Sequence, residues 1–374
     1  MKLTIQKHAL SEAIQHVSKA VNSKVAIPIL TGVKLDVTNQ GVTLTASDVE
    51  TTIQAIIPVE PVAIEQSGSV VLPAKFFVEI IKKLPKETVS IEVQEGFNTL
   101  IQSGRTKINM VGMDPEEFPA MPADNDELKL TLSGAEIKEL IKEVAFSVST
   151  NEQSPLLTGV LWELDNGRLK LTATDRHRLA SAEVDTGADE ESDFRNVVIA
   201  AKTLAELSKN VQDKEDVRIS VGSGNVLFKT DQVKFYTRML NGSYPDTSKI
   251  IPTIFKSELT VNVKEFADAV DRAYLLAREE KTNIVRLEVV EDGEIRIEST
   301  SSGVGKVIEQ LEAEMFAGEP IRIAFNSKYM LDVLKIIDSE RLRIGFTGAM
   351  SPIIIRPVDG NENLYLILPY RTSV

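Results

Sequence analysis

The length, composition and charge of the chain exclude several classes of protein. At 374 residues the chain is longer than a single hydrophobic core ordinarily supports. Its content of 43% hydrophobic and 26% charged residues is typical of a soluble globular protein. The absence of cysteine excludes disulfides, thiolate nucleophiles and cysteine zinc sites. No apolar run approaches the roughly 18 residues of a membrane span, and the polar N-terminus MKLTIQKHALSEA is unlike a signal peptide. We therefore expect a cytoplasmic protein without cofactor or metal.

A repeat divides the chain into three parts. Residues 28–48, PILTGVKLDVTNQGVTLTASD, and residues 155–175, PLLTGVLWELDNGRLKLTATD, align without a gap at an offset of 127 and share ten of 21 residues. A degenerate third copy, IVRLEVVEDGEIRIEST, begins at Ile284 and retains only the apolar alternation of the other two. The repeat predicts three tandem domains, at residues 1–124, 128–250 and 254–374.

Within each unit, the order of strand, helix and further strands occurs twice. In the first unit the pattern predicts helices at 8–21 and 75–86 and strands at 3–6, 53–58, 69–72, 89–93, 99–103 and 107–111, besides two in the repeat itself. The second unit has strands at 128–132 and 197–199 and helices at 135–148 and from 202. The third has a strand from 259, a helix at 264–278 and a second strand and helix within 321–337. This order favours the α+β class, with two helices per domain packed on antiparallel sheets.

The second helix of each unit carries a recurring charge pattern. Lys75, Glu79 and Lys82 recur as Lys202, Glu206 and Lys209, and again as Lys328, Asp332 and Lys335. At helical spacing these three positions share one face. In the first copy the opposite face is predicted to hold Phe76, Phe77, Ile80, Ile81 and Leu84.

Such a face has two interpretations, and the sequence leaves both open. It is either simply solvated, with Glu79 supporting Lys82, or turned toward a polyanion. The net charge of −13 argues against a nucleic-acid partner. However, six helical stretches (7–24, 74–86, 133–149, 201–210, 262–281 and 326–338) hold 17 basic and 13 acidic residues, so they net +4 and leave −17 elsewhere.

Helix spacing indicates what a closed array of these helices could hold. Six helices at about 8 to 10 Å spacing leave no useful hole, whereas twelve form an axis circle of about 35 Å with a hole of roughly 25 Å, wider than a DNA duplex. Two chains joined head to tail in a symmetric ring would supply twelve. A ring needs only a lining that does not repel phosphate, and an acidic exterior would discourage binding of DNA outside it.

Several motifs carry a family resemblance that covers all three units: Pro28–Gly32, Leu157–Gly159, Thr174–Leu179, Tyr244–Asp246 and Leu368–Arg371. On these residues the chain resembles the beta sliding clamps of bacterial replicative DNA polymerases. The resemblance implies the DNA clamp fold, closed as a homodimeric ring that encircles duplex DNA without sequence preference. It further implies a processivity factor of the DNA polymerase holoenzyme in DNA replication, with no catalytic activity.

The resemblance also implies a groove for short peptide motifs of the replicative polymerase catalytic subunit, the clamp loader, and repair polymerases and ligase. The implied groove residues are Leu157, Thr174, Arg176, His177, Arg178, Leu179, Pro245, Lys249, Ile250, Leu366, Leu368, Pro369, Tyr370 and Arg371. The leucines and Ile250 would form the apolar part, and Arg178 and Arg371 would donate to peptide carbonyls or acids. Departures from the family pattern at Arg176, Lys249 and Tyr370, and three residues after Arg371, affect peptide preference.

Two further residue sets follow from the ring. The implied DNA-facing residues are Lys24, Lys75, Lys82, Lys83, Lys202, Lys209, Lys328 and Lys335. The implied dimer interface places the first unit of one copy against the third unit of the other, with residues Arg105, Lys107, Ile108, Met110, Leu275, Leu276, Glu309 and Glu312.

Two alternatives remain at this stage. The first is a three-domain peptide-binding scaffold that never closes around DNA. The second is an enzyme using His177 and Asp175 for acid–base catalysis. The second is weak, because no His-Glu-x-x-His or serine elbow occurs and Gly303-Val-Gly305-Lys306 lacks the rest of a phosphate loop.

Overall fold

The computed structural model describes residues 1–22, 26–60, 62–121, 127–360 and 362–371. The chain forms two compact units, one of Met1–Ala135 with Ala205–Met239 and the other of Glu136–Leu204 with Leu240–Val374. We call these two compact units unit one and unit two, and from here on we call the three units of the sequence analysis the first, second and third repeats.

Six α-helices and 26 strands lie in these described ranges. The first repeat contains β1 (Lys2–Gln6), α1 (Lys7–Val17), β2 (Gly32–Thr38), β3 (Gly41–Ser47), β4 (Thr51–Ile57), β5 (Val62–Gln66), β6 (Gly68–Pro73), α2 (Ala74–Lys83), β7 (Thr88–Val93), β8 (Asn98–Ser103) and β9 (Thr106–Val111). The second contains β10 (Leu128–Ser133), α3 (Gly134–Ala145), β11 (Gly159–Asp165), β12 (Arg168–Thr174), β13 (Arg178–Asp185), β14 (Phe194–Ala200), α4 (Ala201–Asn210), β15 (Asp216–Val221), β16 (Asn225–Lys229) and β17 (Val233–Arg238). The third contains β18 (Ser257–Asn262), α5 (Val263–Glu279), β19 (Ile284–Val289), β20 (Glu294–Ser301), β21 (Gly305–Glu312), β22 (Met315–Gly318), β23 (Ile321–Asn326), α6 (Ser327–Leu334), β24 (Arg341–Phe346), β25 (Ile353–Pro357) and β26 (Leu364–Ile367).

Each unit contains a large and a small sheet, and the pairing between the strands named above is antiparallel. Unit one has the orders β5-β1-β7-β8-β9 and β10-β15-β16-β17-β4-β3-β2-β6, and unit two has β14-β11-β12-β13-β26-β25-β24-β18-β22 and β21-β20-β19-β23. Each large sheet crosses a repeat boundary, through β17 on β4 in unit one and β26 on β13 in unit two. The compact units therefore do not coincide with the three repeats.

The helices bury one face against the sheets, as an apolar stripe at helical spacing predicts. In α1 the buried residues are Leu10, Ala13, Ile14 and Val17. In α2 they are Ala74, Phe77 and Ile81. The assignment of Phe76 to the buried face of α2 was wrong: its side chain is 60% exposed and lies beside Lys75, whose Nζ is 5.7 Å from the ring centroid.

Helix ends differ from the predicted ones by a few residues. Helix α2 ends at Lys83 rather than Lys86, because Leu84 is extended (ψ 141°) ahead of Pro85, as residues before proline usually are. Helix α3 ends at Ala145 rather than Val148, and α1 at Val17, where a 3-10 turn follows. Within the described ranges, no helix has both the length and the apolar character needed to cross a membrane.

Candidate peptide-binding groove

The turn between β12 and β13 forms one wall of a groove in unit two. Asp175 holds this turn, because its Oδ1 accepts hydrogen bonds from the backbone N–H groups of His177 (2.9 Å) and Arg178 (3.0 Å). Thr174 Oγ1 accepts from the N–H of Arg176 (3.1 Å) and donates to the carbonyl of Arg178 (2.6 Å). Arg176 has a positive φ of 76°, a conformation that costs free energy in a residue other than glycine. The turn is therefore held in a specific, strained shape.

Arg178 is committed to contacts within the chain. Its Nε donates to Asp175 Oδ2 (3.0 Å) and its Nη1 donates to Asp332 Oδ2 (2.7 Å) on α6. The guanidinium lies 4.5 Å from the ring centroid of Tyr329 and 5.5 Å from that of Phe146. Because the side chain is mostly buried between two carboxylates and two rings, we infer that Arg178 positions the turn against α6 and is less free to bind a peptide than the sequence suggested.

A cavity of about 420 Å³ opens between this turn, the start of α6 and the segment after α3. Its lining residues are Val148, Ser149, Thr150, Asn151, Ser154, Leu157, Asp175, Arg176, His177, Arg178, Lys328, Tyr329 and Asp332. A second cavity of about 320 Å³ is lined by Arg286, Arg322, Ile323, Ala324, Ala349, Met350 and Tyr370. Both belong to unit two, and their volumes suit a few side chains of a peptide.

The last described residues of the chain run beside the turn. The backbone N–H of Leu368 donates to the carbonyl of His177 (2.9 Å), and that of Tyr370 donates to the carbonyl of Ala324 (2.7 Å). Leu368, Tyr370 and Arg371 have exposed side chains, and that of Pro369 is half-buried. Residues 368–371 therefore form one edge of the groove.

Apolar side chains form the floor under these segments. Leu179 pairs with Leu366 across β13 and β26, and both are buried in a cluster with Ile354 and Leu364. Leu157 is buried in a neighbouring cluster with Leu161, Val198 and Tyr244. These leucines thus belong to the core of unit two and support the groove from below.

The structure brings together most of the predicted groove residues, although some line neither cavity. Pro245 and Ile250 are exposed on the segment that precedes β18, and Lys249 forms a 3.5 Å ion pair with Asp246. Sequence reasoning missed Phe146, Tyr329, Asp332 and the segment 148–154. Lys328, predicted to face DNA, lines the larger cavity. The roles of all these residues stay predictions.

Tyr244 links the groove turn to its support, and we expect its hydroxyl to matter for stability. It accepts a hydrogen bond from the N–H of Thr174 (3.1 Å) and lies 3.4 Å from the carbonyl of Gly159. Tyr244→Phe leaves the buried N–H of Thr174 without its acceptor and should lower the free energy of unfolding by about 1–3 kcal/mol. Urea unfolding at pH 7 measures this loss, and Tyr370→Phe, at an exposed ring, is the matched control.

The same residue predicts a dependence on alkaline pH. Burial raises the pKa of Tyr244 from 10.0 to about 12, so the folded state favours the neutral phenol. The stabilisation is complete below pH 10 and is lost as the pH rises through 12. Tyr244→Phe should show a smaller loss of stability over that window, and identical slopes for both proteins would contradict the assignment.

The predicted DNA-facing lysines that the structure describes are exposed on helices or just after them. Glu79 pairs with Lys83 (3.6 Å) rather than Lys82, and Glu206 pairs with Lys209 (2.9 Å). Their counterpart Asp332 instead pairs with Arg178. Lys24 lies outside the described residues.

The predicted interface residues lie on or beside two edge strands, β9 and β21, and on α5. Among the strands described, β9 and β21 each pair on one side only. On β9, Arg105 and Lys107 are exposed at or beside the strand, Ile108 is half-buried, and Met110 is buried in its own chain.

On the other edge, Leu275 is exposed on α5, and Glu312 is exposed at the end of β21. Leu276 is half-buried. Glu309 forms two hydrogen bonds with Arg272 (2.9 and 2.6 Å), which lower the pKa of that carboxyl. Met110 and Glu309 are thus largely engaged within the chain itself, and the interface assignment stays a prediction.

Asp175, considered above as a partner of His177 in acid–base catalysis, has a structural role in the groove turn. Both oxygens of Asp175 accept bonds from the turn and from Arg178, so this carboxylate serves to hold the turn. Over the described ranges, no group of three histidine or acidic side chains is arranged to hold a metal ion.

Three consecutive parts of the chain match the three domains of one protein family. Residues 1–122, 131–246 and 248–371 match the N-terminal, central and C-terminal domains of the DNA polymerase III beta subunit. The chain belongs to this family. The domain boundaries inferred from the repeat at 124, 128, 250 and 254 stay predictions.

Relatives of this beta subunit family match along the whole chain. The chain is 45% identical to the Beta sliding clamp of Bacillus subtilis and 41% identical to that of Halalkalibacterium halodurans, with both proteins covered completely in each case. The crystal structure of the DNA polymerase sliding clamp from Bacillus subtilis superposes with a TM-score of 0.96 at 44% identity and full coverage of both chains. The beta subunit from Streptococcus pyogenes gives 0.94 at 32% identity, again with full coverage. The predicted α+β class, with three similar domains, is thereby confirmed.

Proposed function

We propose that this chain is a DNA sliding clamp, a homodimeric ring that encircles duplex DNA and holds the replicative polymerase on its template. The observation that carries the proposal is the complete-length similarity to proteins named Beta sliding clamp. It acts without chemistry of its own, in the cytoplasm, as a processivity factor.

Exposed lysines on the helices support the DNA-binding part of the proposal. Lys75, Lys82 and Lys83 project from α2 without burial, and Lys202 and Lys209 do so from α4. Lysine is a mobile point charge that suits phosphate at varying positions. Such a surface binds the backbone irrespective of base sequence, as sliding requires.

Unpaired strand edges support the dimer. An edge strand exposes N–H and C=O groups that can pair with another chain, and β9 and β21 supply two different edges. Basic residues Arg105 and Lys107 accompany β9, and the acidic Glu312 ends β21. In a closed head-to-tail pair of chains, β9 of each copy meets β21 of the other, so the same contact occurs twice.

The groove in unit two supplies the docking site. Leu368 and Tyr370 have exposed side chains beside the groove turn, next to the buried cluster that contains Leu179 and Leu366. We assign Ile250, which is exposed on the segment before β18, to the same apolar rim because the family resemblance implies it. An extended peptide can place alternate side chains in such a groove. We assign the groove to short motifs of the polymerase catalytic subunit, the clamp loader, repair polymerases and ligase.

Small-angle X-ray scattering of the pure protein tests the ring. We expect a mass near 82 kDa, twice the 41.2 kDa chain, and the profile of an open annulus. A compact or elongated particle of about 41 kDa at all concentrations would favour instead a three-domain peptide scaffold that does not encircle DNA.

Charge reversal on α2 tests the DNA-facing surface. Lys75→Glu with Lys82→Glu should reduce clamp-dependent polymerase product length several-fold, and increasingly as salt falls, because repulsion between the carboxylates and phosphate is screened by salt. The measurement is primer extension on a long single-primed template. The control is Lys214→Glu with Lys256→Glu, two exposed lysines outside the helices and the same change in charge. Equal products from both pairs would mean that the α2 lysines are merely solvated.

A further inference from the structure

Unit one contains a second copy of the groove turn, 127 residues earlier in the chain. Asp48 Oδ1 accepts from the N–H groups of Glu50 (3.2 Å) and Thr51 (2.8 Å), as Asp175 does in its own turn. Ser47 Oγ accepts from the N–H of Val49 (3.2 Å), the counterpart of the bond from Arg176 to Thr174. The two turns therefore have the same hydrogen-bonded shape.

The strand beside each turn is also equivalent. In unit one the N–H of Arg238 donates to the carbonyl of Glu50 (2.9 Å), as that of Leu368 donates to His177 in unit two. Strand pairing places Thr52 opposite Tyr236. In unit two the same register places Leu179 opposite Leu366.

A cavity of about 200 Å³ occupies this position in unit one. Its lining residues are Ile27, Leu30, Ser47, Val49, Glu50, Thr52, Pro119, Ala120, Asn225, Tyr236, Thr237 and Arg238. Leu30 is buried at its base, like Leu157 in the other groove, whereas Ile27 and Val49 have exposed side chains. We call this cavity the unit-one groove.

Val49 marks the unit-one groove as more than a remnant of duplication. It has a φ of 82°, matching the 76° of Arg176. A β-branched residue is strained in this conformation, which asparagine or glycine would adopt more easily. Strain of this kind is concentrated at functional sites, and here it holds an apolar side chain at the wall of an open cavity.

The side chains around the two turns differ in charge. Where unit two has His177 and Leu368, the unit-one groove has Glu50 and Arg238. Both side chains are exposed, and the ion pairs found in the described part of the chain involve neither. The groove thus presents one carboxylate and one guanidinium beside an apolar base.

We propose that the unit-one groove is a second peptide-docking site, for an extended segment of a partner protein with one apolar side chain flanked by an acidic and a basic residue. The apolar side chain contacts Leu30 and Val49, the acidic residue binds Arg238, and the basic residue binds Glu50. The proposal goes beyond the sliding-clamp function, because it adds a site with a different peptide preference. Neither groove should bind the other's peptide well.

Selection from a random 12-residue peptide library tests the proposal. The target is the full-length protein with Ile250→Asp and Leu368→Asp, the pair of substitutions expected to weaken peptide binding in the unit-two groove. A counter-selection then removes every peptide that still binds when the same protein also carries Val49→Arg. An arginine at this φ is tolerated at position 176, so the added side chain should fill the groove without unfolding the turn. We expect enriched peptides that carry the apolar, acidic and basic residues.

Fluorescence anisotropy with an enriched peptide then assigns its contacts. Arg238→Glu should weaken binding at least tenfold, and replacing the peptide's acidic residue by lysine should restore it. Val304→Glu, at an exposed apolar residue in unit two, should have no effect. No enrichment over the subtracted protein, or binding indifferent to Arg238→Glu, would overturn the proposal.

Light scattering separates one further outcome. If Val49→Arg changes the oligomeric mass measured by light scattering, the groove binds a second copy of the chain and the peptide assignment is wrong. Because the selection requires neither DNA nor a closed ring, its failure leaves the scattering test of the sliding clamp unaffected.

Discussion

Ile250→Asp combined with Leu368→Asp should lower the affinity of the unit-two groove for a clamp-binding peptide of the polymerase by about 100-fold or more. The two side chains are 46% and 37% exposed, so a peptide bound at the proposed rim can cover them. Fully burying an exposed apolar side chain contributes about 1.5–3 kcal/mol, so covering the exposed 46% and 37% of these two contributes together roughly 1.2–2.5 kcal/mol. At about 1.4 kcal/mol for each factor of ten in affinity, this part of the loss is about eight- to 60-fold. Two buried aspartates would add a desolvation cost. Anisotropy of a labelled peptide measures the change.

Two controls keep this result interpretable. Val304→Asp places the same charge at an apolar residue that is 68% exposed elsewhere in unit two, and it should leave the affinity unchanged. Deleting residues 368–374 also removes the bond from Leu368 to His177 and should abolish peptide binding while the dimer persists. Residues 372–374 of this deletion lie outside the described ranges. An affinity within threefold of the parent would remove the peptide role of this groove.

Leu275→Ala combined with Leu276→Ala should convert the dimer into monomers. Leu275 is 45% exposed on α5 and Leu276 is half-buried, and α5 packs on the edge strand β21. In a closed pair each chain contributes α5 to one of two identical interfaces, so both are weakened together. Loss of a buried leucine costs about 2–5 kcal/mol, which makes each interface several hundred-fold weaker or more.

Light scattering after size exclusion measures the change as a mass near 41 kDa in place of about 82 kDa. Leu128→Ala with Met315→Ala removes comparable exposed side chains from β10 and β22 and should leave the mass unchanged. A dimer that survives the α5 substitutions at micromolar concentration would place the interface elsewhere.

The repeat and the hydrophobic periodicity were sufficient to predict most elements of the fold. The alternation along β2 and the apolar stripes of the helices have a direct physical cause, because each of these elements buries one face. Strands β3, β11 and β12 are buried on both faces over most of their length, which accounts for their nearly continuous apolar and threonine-rich sequences. The joining of two repeats through β4 and β17 was not predictable, since pairing between distant strands leaves no local pattern. The exposure of Phe76 was also missed, because it lies at the margin of the stripe.

The candidate groove was predictable only in part. The resemblance supplied the turn from Thr174 to Leu179 and the end of the chain, and the structure places them side by side. It could not supply Tyr329 or Asp332, because their contacts with Arg178 depend on how α6 meets the turn. The same charge pattern had assigned Lys328, Asp332 and Lys335 to one solvent face. Partners more than 150 residues apart cannot be read from helical spacing.

Retention on closed DNA tests encirclement most directly. The protein is loaded by its clamp loader onto a nicked circular plasmid, separated from free protein by gel filtration, and the plasmid is then cut once. A ring linked to DNA should remain bound to the circle in 0.5 M salt, where the Debye length is only about 4 Å and attraction to phosphate is strongly screened. It should leave after the cut by sliding off the ends. Equal retention on circular and linear DNA, or loss from both, would contradict the sliding clamp.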